Sequence, residues 1–278
     1  MNRKKLIKKN FTKVIFMVLV LLCSSCNRFF YQMNKEKKEI SIKNITITKS
    51  FIQNEKHKKI ALTHILPIDK QDNNITILAV PPKGGNSGFL SNLMQPLVNL
   101  GYEIYLFDYE GYGESKGKAN NQNVLTDAQL VLDYVVSHKQ TDAKLLLWGF
   151  SLGGNLSVKL AYDNSSKIDA LIIEGAFTSH PEVVKWVAPK GFKWVAKLIK
   201  SPYPSKQLIK DVQVPIFIAH SLNDKTCPYF MGETLYENAN PPKCFLQLSG
   251  DHTYGLSQET DKYMNYLALF LIHNNIKN

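Results

Sequence analysis

Gly149-Phe150-Ser151-Leu152-Gly153-Gly154 sets a serine among glycines directly after Lys144-Leu-Leu-Leu-Trp148, a run that reads as a buried strand. Glycines after strands are ordinary turn punctuation. The same residues also suit a sharp strand-to-helix turn with the serine at its apex and no room for side chains at Gly149 and Gly153. The sequence on either side decides between these two readings.

On both sides the chain alternates. Apolar runs at 75–80, 103–108, 144–148, 170–174, 214–220 and 244–248 are separated by helical patterns at about 88–100, 121–138, 152–163, 182–200, 229–239 and 256–274. Continuous apolar runs with helices between them mean strands buried on both faces, hence a parallel sheet. Ahead of them, 39–48 alternates with isoleucines on one face and 58–66 follows after a polar turn, which predicts an antiparallel pair. The expected fold class is α/β: one domain over 39–278 with a mostly parallel eight-stranded sheet and helices on both faces. The stretch from Ala176 to Asp211 is 36 residues, including Trp186, Phe192, Trp194 and Tyr203, where a simple connection needs far fewer. This insertion is a candidate small helical cap over the ligand-binding edge of the sheet, or a helix whose apolar face packs on the sheet.

The composition, 44% hydrophobic and 21% charged over 278 residues, is that of ordinary globular protein. The net charge of +11 is unevenly placed: beyond residue 25 the balance is 28 basic against 23 acidic residues. The remaining lysines are scattered and no recognition motif is visible, which argues against nucleic acid as a partner. At the N-terminus a basic stretch precedes the nine apolar residues Val14–Leu22 and then Cys23-Ser-Ser-Cys26. Crossing a membrane takes about 20 such residues, so the run suits the apolar core of a secretory signal. Residues 1–25 are read as a signal peptide of lipoprotein type, with small Ser24 and Ser25 before a lipid-acceptor Cys26 as in a bacterial lipobox; Cys23 stands where leucine is usual. An uncleaved single-pass anchor and ordinary secretion are the alternatives; a redox C-x-x-C would belong in a folded domain. The mature chain is then expected on the cell envelope, lipid-anchored, with 26–38 as a polar tether. Cys227 follows one parallel strand and Cys244 begins the next, so the two are expected at opposite ends of the sheet as free thiols.

In an open parallel sheet, groups at the carboxyl ends of strands meet on one rim. Ser151, Asp224 and His252 all follow such ends. A serine hydroxyl becomes nucleophilic when a histidine removes its proton, and a carboxylate fixes that histidine. The chain resembles the α/β-hydrolase superfamily over about 40–275. Gly149–Gly153 matches the G-x-S-x-G nucleophile elbow, and Phe107-Asp-Tyr-Glu-Gly-Tyr-Gly-Glu-Ser115 is similar to the D-Y-x-G-Y-G-x-S stretch of small-capped serine hydrolases. His220–Pro228 looks like the acid-bearing segment and Gly250-Asp-His-Thr253 like the histidine loop.

The resemblance implies Ser151 as nucleophile, His252 as base and Asp224 as its orienting acid. The backbone N–H of Leu152 would be one oxyanion donor, with a second from Gly85 or Asn86, or from Ser87. Relatives commonly read H-G-N there, and this chain has Gly84-Gly85-Asn86. The implied activity is hydrolysis of carboxylic ester or thioester bonds through an acyl-enzyme, on a small-molecule or lipid substrate whose acyl chain the cap's aromatic residues favour as apolar. No cofactor and no metal are required, and no H-E-x-x-H occurs. A serine peptidase of the aminopeptidase or prolyl oligopeptidase kind, and a non-catalytic binding module, are the rival readings. Gly111-Tyr-Gly-Glu-Ser-Lys-Gly117 looks like a dinucleotide loop, but its third glycine falls one place late. Asp108 and His220 are expected to be structural, and Asp251 too close in sequence to His252 to orient it. Oligomeric state is left open.

Overall fold

The computed structural model describes residues 45–55, 58–68 and 74–277, together with Phe30, Tyr31, Asn34, Ile40 and Ile42. The expected signal at 1–25 and the acceptor Cys26 lie outside the described residues.

Eight strands form one sheet: β1 (Ile45–Gln53), β2 (Lys59–Pro67), β3 (Ile75–Val80), β4 (Glu103–Phe107), β5 (Lys144–Phe150), β6 (Ala170–Glu174), β7 (Ile216–Ser221) and β8 (Lys243–Leu248). Their order is β1-β2-β4-β3-β5-β6-β7-β8. β2 runs antiparallel to β1 and β4, and the remaining pairs are parallel. The helices are α1 (Ser87–Leu93), α2 (Gln95–Asn99), α3 (Asn121–His138), α4 (Leu152–Asp163), α5 (His180–Val187), α6 (Ser205–Leu208), α7 (Tyr229–Asn238), α8 (Gly255–Gln258) and α9 (Thr260–His273).

Alternation along β5 divides the core in two. Leu145 and Leu147 face a cluster with Val124, Val131 and Val135 of α3 and Leu156 of α4. Leu146, Trp148 and Phe150 face the other, with Leu90 and Leu97 of α1 and α2 and Tyr263 and Leu267 of α9. Because successive strand side chains point to opposite faces, a strand apolar at every position is covered on both. α3 shows the matching helical period, with Val124, Ala128, Val131, Leu132 and Val135 buried, and begins where Asn120 Oδ1 accepts the N–H groups of Gln122 and Asn123 at 3.0 and 2.9 Å.

Several expected boundaries move. β1, Ile45–Gln53, runs past the expected end at 48, because its register follows the hairpin with β2, closed where Lys58 N–H donates to Asn54 Oδ1 at 3.0 Å. The helix expected at 88–100 breaks at Met94, where Pro96 opens a second helix. The one expected at 182–200 ends at Ala188, held extended (ψ 140°) before Pro189, and continues as a 3₁₀ turn from Lys190 to Leu198. The one at 256–274 breaks at Glu259.

The 26–38 stretch, expected to be a tether, is tied to the domain wherever it is described. Phe30 and Tyr31 are buried in the first core cluster. Phe30 stacks edge-on against His180 at 4.5 Å, and Tyr31 Oη lies 2.5 Å from Tyr203 Oη and donates to Asn121 Oδ1 at 2.6 Å. Asn34 Nδ2 donates to the Gly84 carbonyl at 2.9 Å. These aromatic partners are distant in sequence, and nothing local announces them. Cys227 and Cys244 are free thiols. Among the described residues no helix is long and apolar enough to cross a membrane.

Candidate active site

β5 passes into α4 through the single residue Ser151, whose backbone sits at φ 51°, ψ −116°. Positive φ is strained for a serine and persists only where the surroundings enforce it. Here Ser151 N–H donates to the Glu174 carbonyl at 2.8 Å. A Cβ on Gly149 would overlap the Gly153 carbonyl and Ser157 Oγ, and one on Gly153 would overlap the carbonyls of Val80 and Pro81. Both glycines therefore permit the close approach that their positions suggested.

The loop after β7 brings Asp224 to the same rim. Its Oδ1 accepts the N–H groups of Thr226 and Cys227, each at 2.8 Å. Asn223 Nδ2 donates to the Ser249 carbonyl at 2.7 Å, and Ser221 Oγ donates to the Gly250 carbonyl, so this loop and the one after β8 are joined. The latter delivers His252. Its Nδ1 lies 2.5 Å from Asp224 Oδ2 and its Nε2 lies 2.9 Å from Ser151 Oγ. The carboxylate fixes the proton on Nδ1, which turns the Nε2 lone pair to the serine hydroxyl. Gly175 gives the imidazole its room: a Cβ there would approach the ring at 3.0 Å.

Burial of Asp224 by itself raises its carboxyl, but hydrogen bonds from His220 and His252, the charge of His252 and the Cys227 N–H outweigh it and hold the group well below the usual carboxylate range. One contributor, Cys227, was not singled out for this role from the sequence. Cys227 donates its N–H to Asp224 and accepts from His220 Nε2 at 2.7 Å, while burial pushes its thiol well above the ordinary value. His220 is structural, as expected, and pins the acid loop. Asp108 is structural too: its Oδ1 accepts from Ser87 N–H and Oγ at 2.7 and 2.8 Å, and its Oδ2 from Glu114 N–H at 2.9 Å. Asp251 bonds to Gln258 Nε2 at 3.1 Å.

Ser151 and His252 open on a cavity of about 550 Å³. Its walls are Pro82–Gly85 and Phe89 on one side, and Asn223, Lys225, Thr226 and 251–254 on the other. Two expectations change here. No residue of the 176–211 insertion lines this cavity, so the cap's aromatic residues do not form its wall. Two of the three candidate second oxyanion donors are engaged elsewhere: Gly85 N–H donates to the Pro82 carbonyl at 3.0 Å and Ser87 N–H to Asp108. Asn86 lines a different crevice, beside Ser50 and Asp108, and caps α1 through Phe89 N–H at 3.0 Å. The Leu152 N–H belongs to the first turn of α4, which has no acceptors of its own within the helix. Among the described residues no cluster of His, Cys, Asp or Glu could hold a metal ion.

An eight-stranded, mostly parallel sheet with a serine on a strained strand-to-helix turn, hydrogen-bonded to a histidine and thence to an aspartate, defines the α/β-hydrolase superfamily. The profile of the family described as "Serine aminopeptidase, S33" matches residues 71–211, half of the chain, and the chain belongs to that family. It is 28% identical over 194 residues to the alpha/beta hydrolase domain-containing protein WAV2 of Arabidopsis thaliana, covering 64% of this chain and 63% of that protein. It is 30% identical over 169 residues to the lysophosphatidylserine lipase ABHD12 of Mus musculus, covering 55% of this chain and 42% of the lipase. The chain thus spans 42% to 63% of the length of these relatives. Among solved structures, an esterase of Pyrococcus furiosus superposes with a TM-score of 0.67 at 13% identity, over 87% of this chain and 98% of the esterase.

Beneath the elbow, burial pushes the Glu174 carboxyl up to about 7; the Gly255 N–H, donating to Oε1 at 2.7 Å, opposes the shift and the charge of Asp224 adds to it. A carboxyl whose folded value is raised favours the folded state while protonated. Its stabilisation is complete below about 4.5 and is lost as the pH rises through about 7. Glu174→Gln keeps the acceptor for Gly255 and removes the charge. It is expected to match the parent at pH 4 and to exceed it at pH 8 by on the order of 2 kcal/mol in urea unfolding. Unfolding curves that stay parallel with pH would contradict this.

Proposed function

We propose that this chain is a serine hydrolase of carboxylic ester or thioester bonds, with Ser151 as nucleophile, His252 as general base and acid, and Asp224 holding the imidazole. The single observation that carries this reading is the hydrogen-bonded line from Asp224 through His252 to Ser151 on the floor of an open cavity. Ser151 Oγ attacks the carbonyl carbon while its proton passes to His252 Nε2. The oxyanion forms toward the Leu152 N–H and a second backbone donor that we place in the loop after β3. On collapse the leaving alkoxide or thiolate takes the proton from His252; water then repeats the sequence on the acyl-enzyme and frees Ser151.

The family's description favours a second reading, an aminopeptidase. Such an enzyme must hold the substrate's α-ammonium near the scissile bond, which calls for a carboxylate. This cavity presents the lysines 83 and 225 against one such group, Asp251, and that balance supports a neutral or anionic acyl substrate instead. Hydrolysis of p-nitrophenyl esters from acetate to palmitate is the test. Turnover is expected to peak within the series, to fall to background in Ser151→Ala, and to drop about 10³- to 10⁴-fold in Asp224→Asn. Aminoacyl-naphthylamide cleavage without ester cleavage would instead establish the peptidase.

We also propose that the chain is exported and lipid-anchored through Cys26. The basic stretch, the apolar run Val14–Leu22 and the small residues Ser24 and Ser25 before Cys26 support this. Wild-type chain is expected to incorporate palmitate in bacterial cells, and Cys26→Ser to lose it. Label retained by the variant, or absent from both, would contradict the anchor.

A further inference from the structure

The insertion between Ala176 and Asp211 exposes a surface that neither the core nor the catalytic cavity uses. Trp186, Phe192, Trp194 and Leu198 are 51%, 61%, 54% and 47% exposed. Trp186 meets Phe230 of α7 edge-on at 6.1 Å, which carries the apolar surface onto the neighbouring helix. Lys185, Lys190, Lys193, Lys197 and Lys200 are interleaved with these rings, and Glu182 is the one acidic residue from 180 to 201. None of the five lysines makes an ion pair among the described residues.

Contiguous exposed aromatic residues mark a surface with a partner. The cores of protein interfaces are depleted in lysine, so alternating tryptophan and lysine fits a protein partner poorly. It suits a bilayer boundary, where amphipathic rings lie at head-group level while lysine stems reach anionic phosphates. We infer that the segment from Lys185 to Lys200, with Phe230, is a docking surface for an anionic lipid bilayer.

The position of this surface gives the docking a use. Thr226 walls the catalytic cavity, and Phe230 follows four residues later on the first turn of α7. The docked surface is thus joined to the cavity wall by four residues of chain, which would bring the mouth of the site toward an ester held in the bilayer. That consequence rests on the ester-hydrolase reading, whereas the docking does not. If Cys26 carries lipid, the anchor leads into the same region, since Phe30 packs on His180 at the start of the insertion.

Tryptophan emission separates docking from anchoring, because Trp148, the third of the three tryptophans, is fully buried in the core. The full chain is bound to vesicles of phosphatidylcholine and phosphatidylglycerol, part of the former carrying brominated acyl chains. Emission is expected to fall by about half or more, and to remain unquenched in W186F/W194F. Each of Lys193→Gln and Lys197→Gln should lower the ratio of docked to undocked chain about fivefold, while turnover of a short soluble ester stays unchanged. Replacing the anionic lipid by phosphatidylcholine should likewise reduce quenching. Vesicle-bound chain that quenches no more than W186F/W194F would mean that the anchor alone holds it, and the inference would fall. A folded chain that does not associate with anionic vesicles would also overturn it. Quenching in a chain that hydrolyses no ester would uphold docking and remove the esterase reading.

Discussion

The arrangement of this molecule turns on one strained residue. Ser151 is held at positive φ between β5 and α4 because the Glu174 carbonyl accepts its N–H and because glycines at 149 and 153 let the helix pack against the end of β3. Any side chain at those glycines would push α4 outward and move the hydroxyl away from His252. The strain is small beside the two hydrophobic cores that enforce it, and it leaves the serine hydroxyl at the rim rather than inside the sheet.

Around that apex the supporting contacts are mostly backbone groups. Asp224 is held by two N–H groups of its own loop, and the acid and histidine loops are bound together through Ser221 and Asn223. Local hydrogen bonds therefore set the geometry of the three side chains, while the cavity in front of them carries lysines 83 and 225. The cap departs from the role its composition suggested. Trp186, Phe192 and Trp194 are turned to the surface, where alternation with lysine gives them a different use from lining an acyl pocket, while Tyr203 is buried against Tyr31.

Much of this architecture is legible in the sequence. Strands buried on both faces must be apolar throughout, which is why β3 and β6 are found with their ends where the apolar runs begin and stop. The meeting of Ser151, Asp224 and His252 follows from the same logic, since each comes shortly after the carboxyl end of a parallel strand. Edge strand β1 has no such constraint: with most of its residues open to solvent, an alternating pattern does not fix where it ends. The helix breaks at Met94 and Ala188 were signalled by Pro96 and Pro189, while the break at Glu259 has no comparable marker. Gly85 and Ser87 could not be set aside as oxyanion donors from the sequence, because their acceptors depend on a local turn and on Asp108, twenty-one residues away from Ser87. Phe30 and Tyr31 dock on residues at 180 and 203, a distance no local pattern reveals.

Reaction with a fluorophosphonate, followed by intact mass and peptide mapping, tests the central claim most directly. If Ser151 is activated by His252 on this scaffold, folded chain should gain one phosphonyl adduct, located on Ser151, with no adduct in Ser151→Ala. A folded chain that stays unlabelled, or that carries the adduct on another residue, would contradict the account.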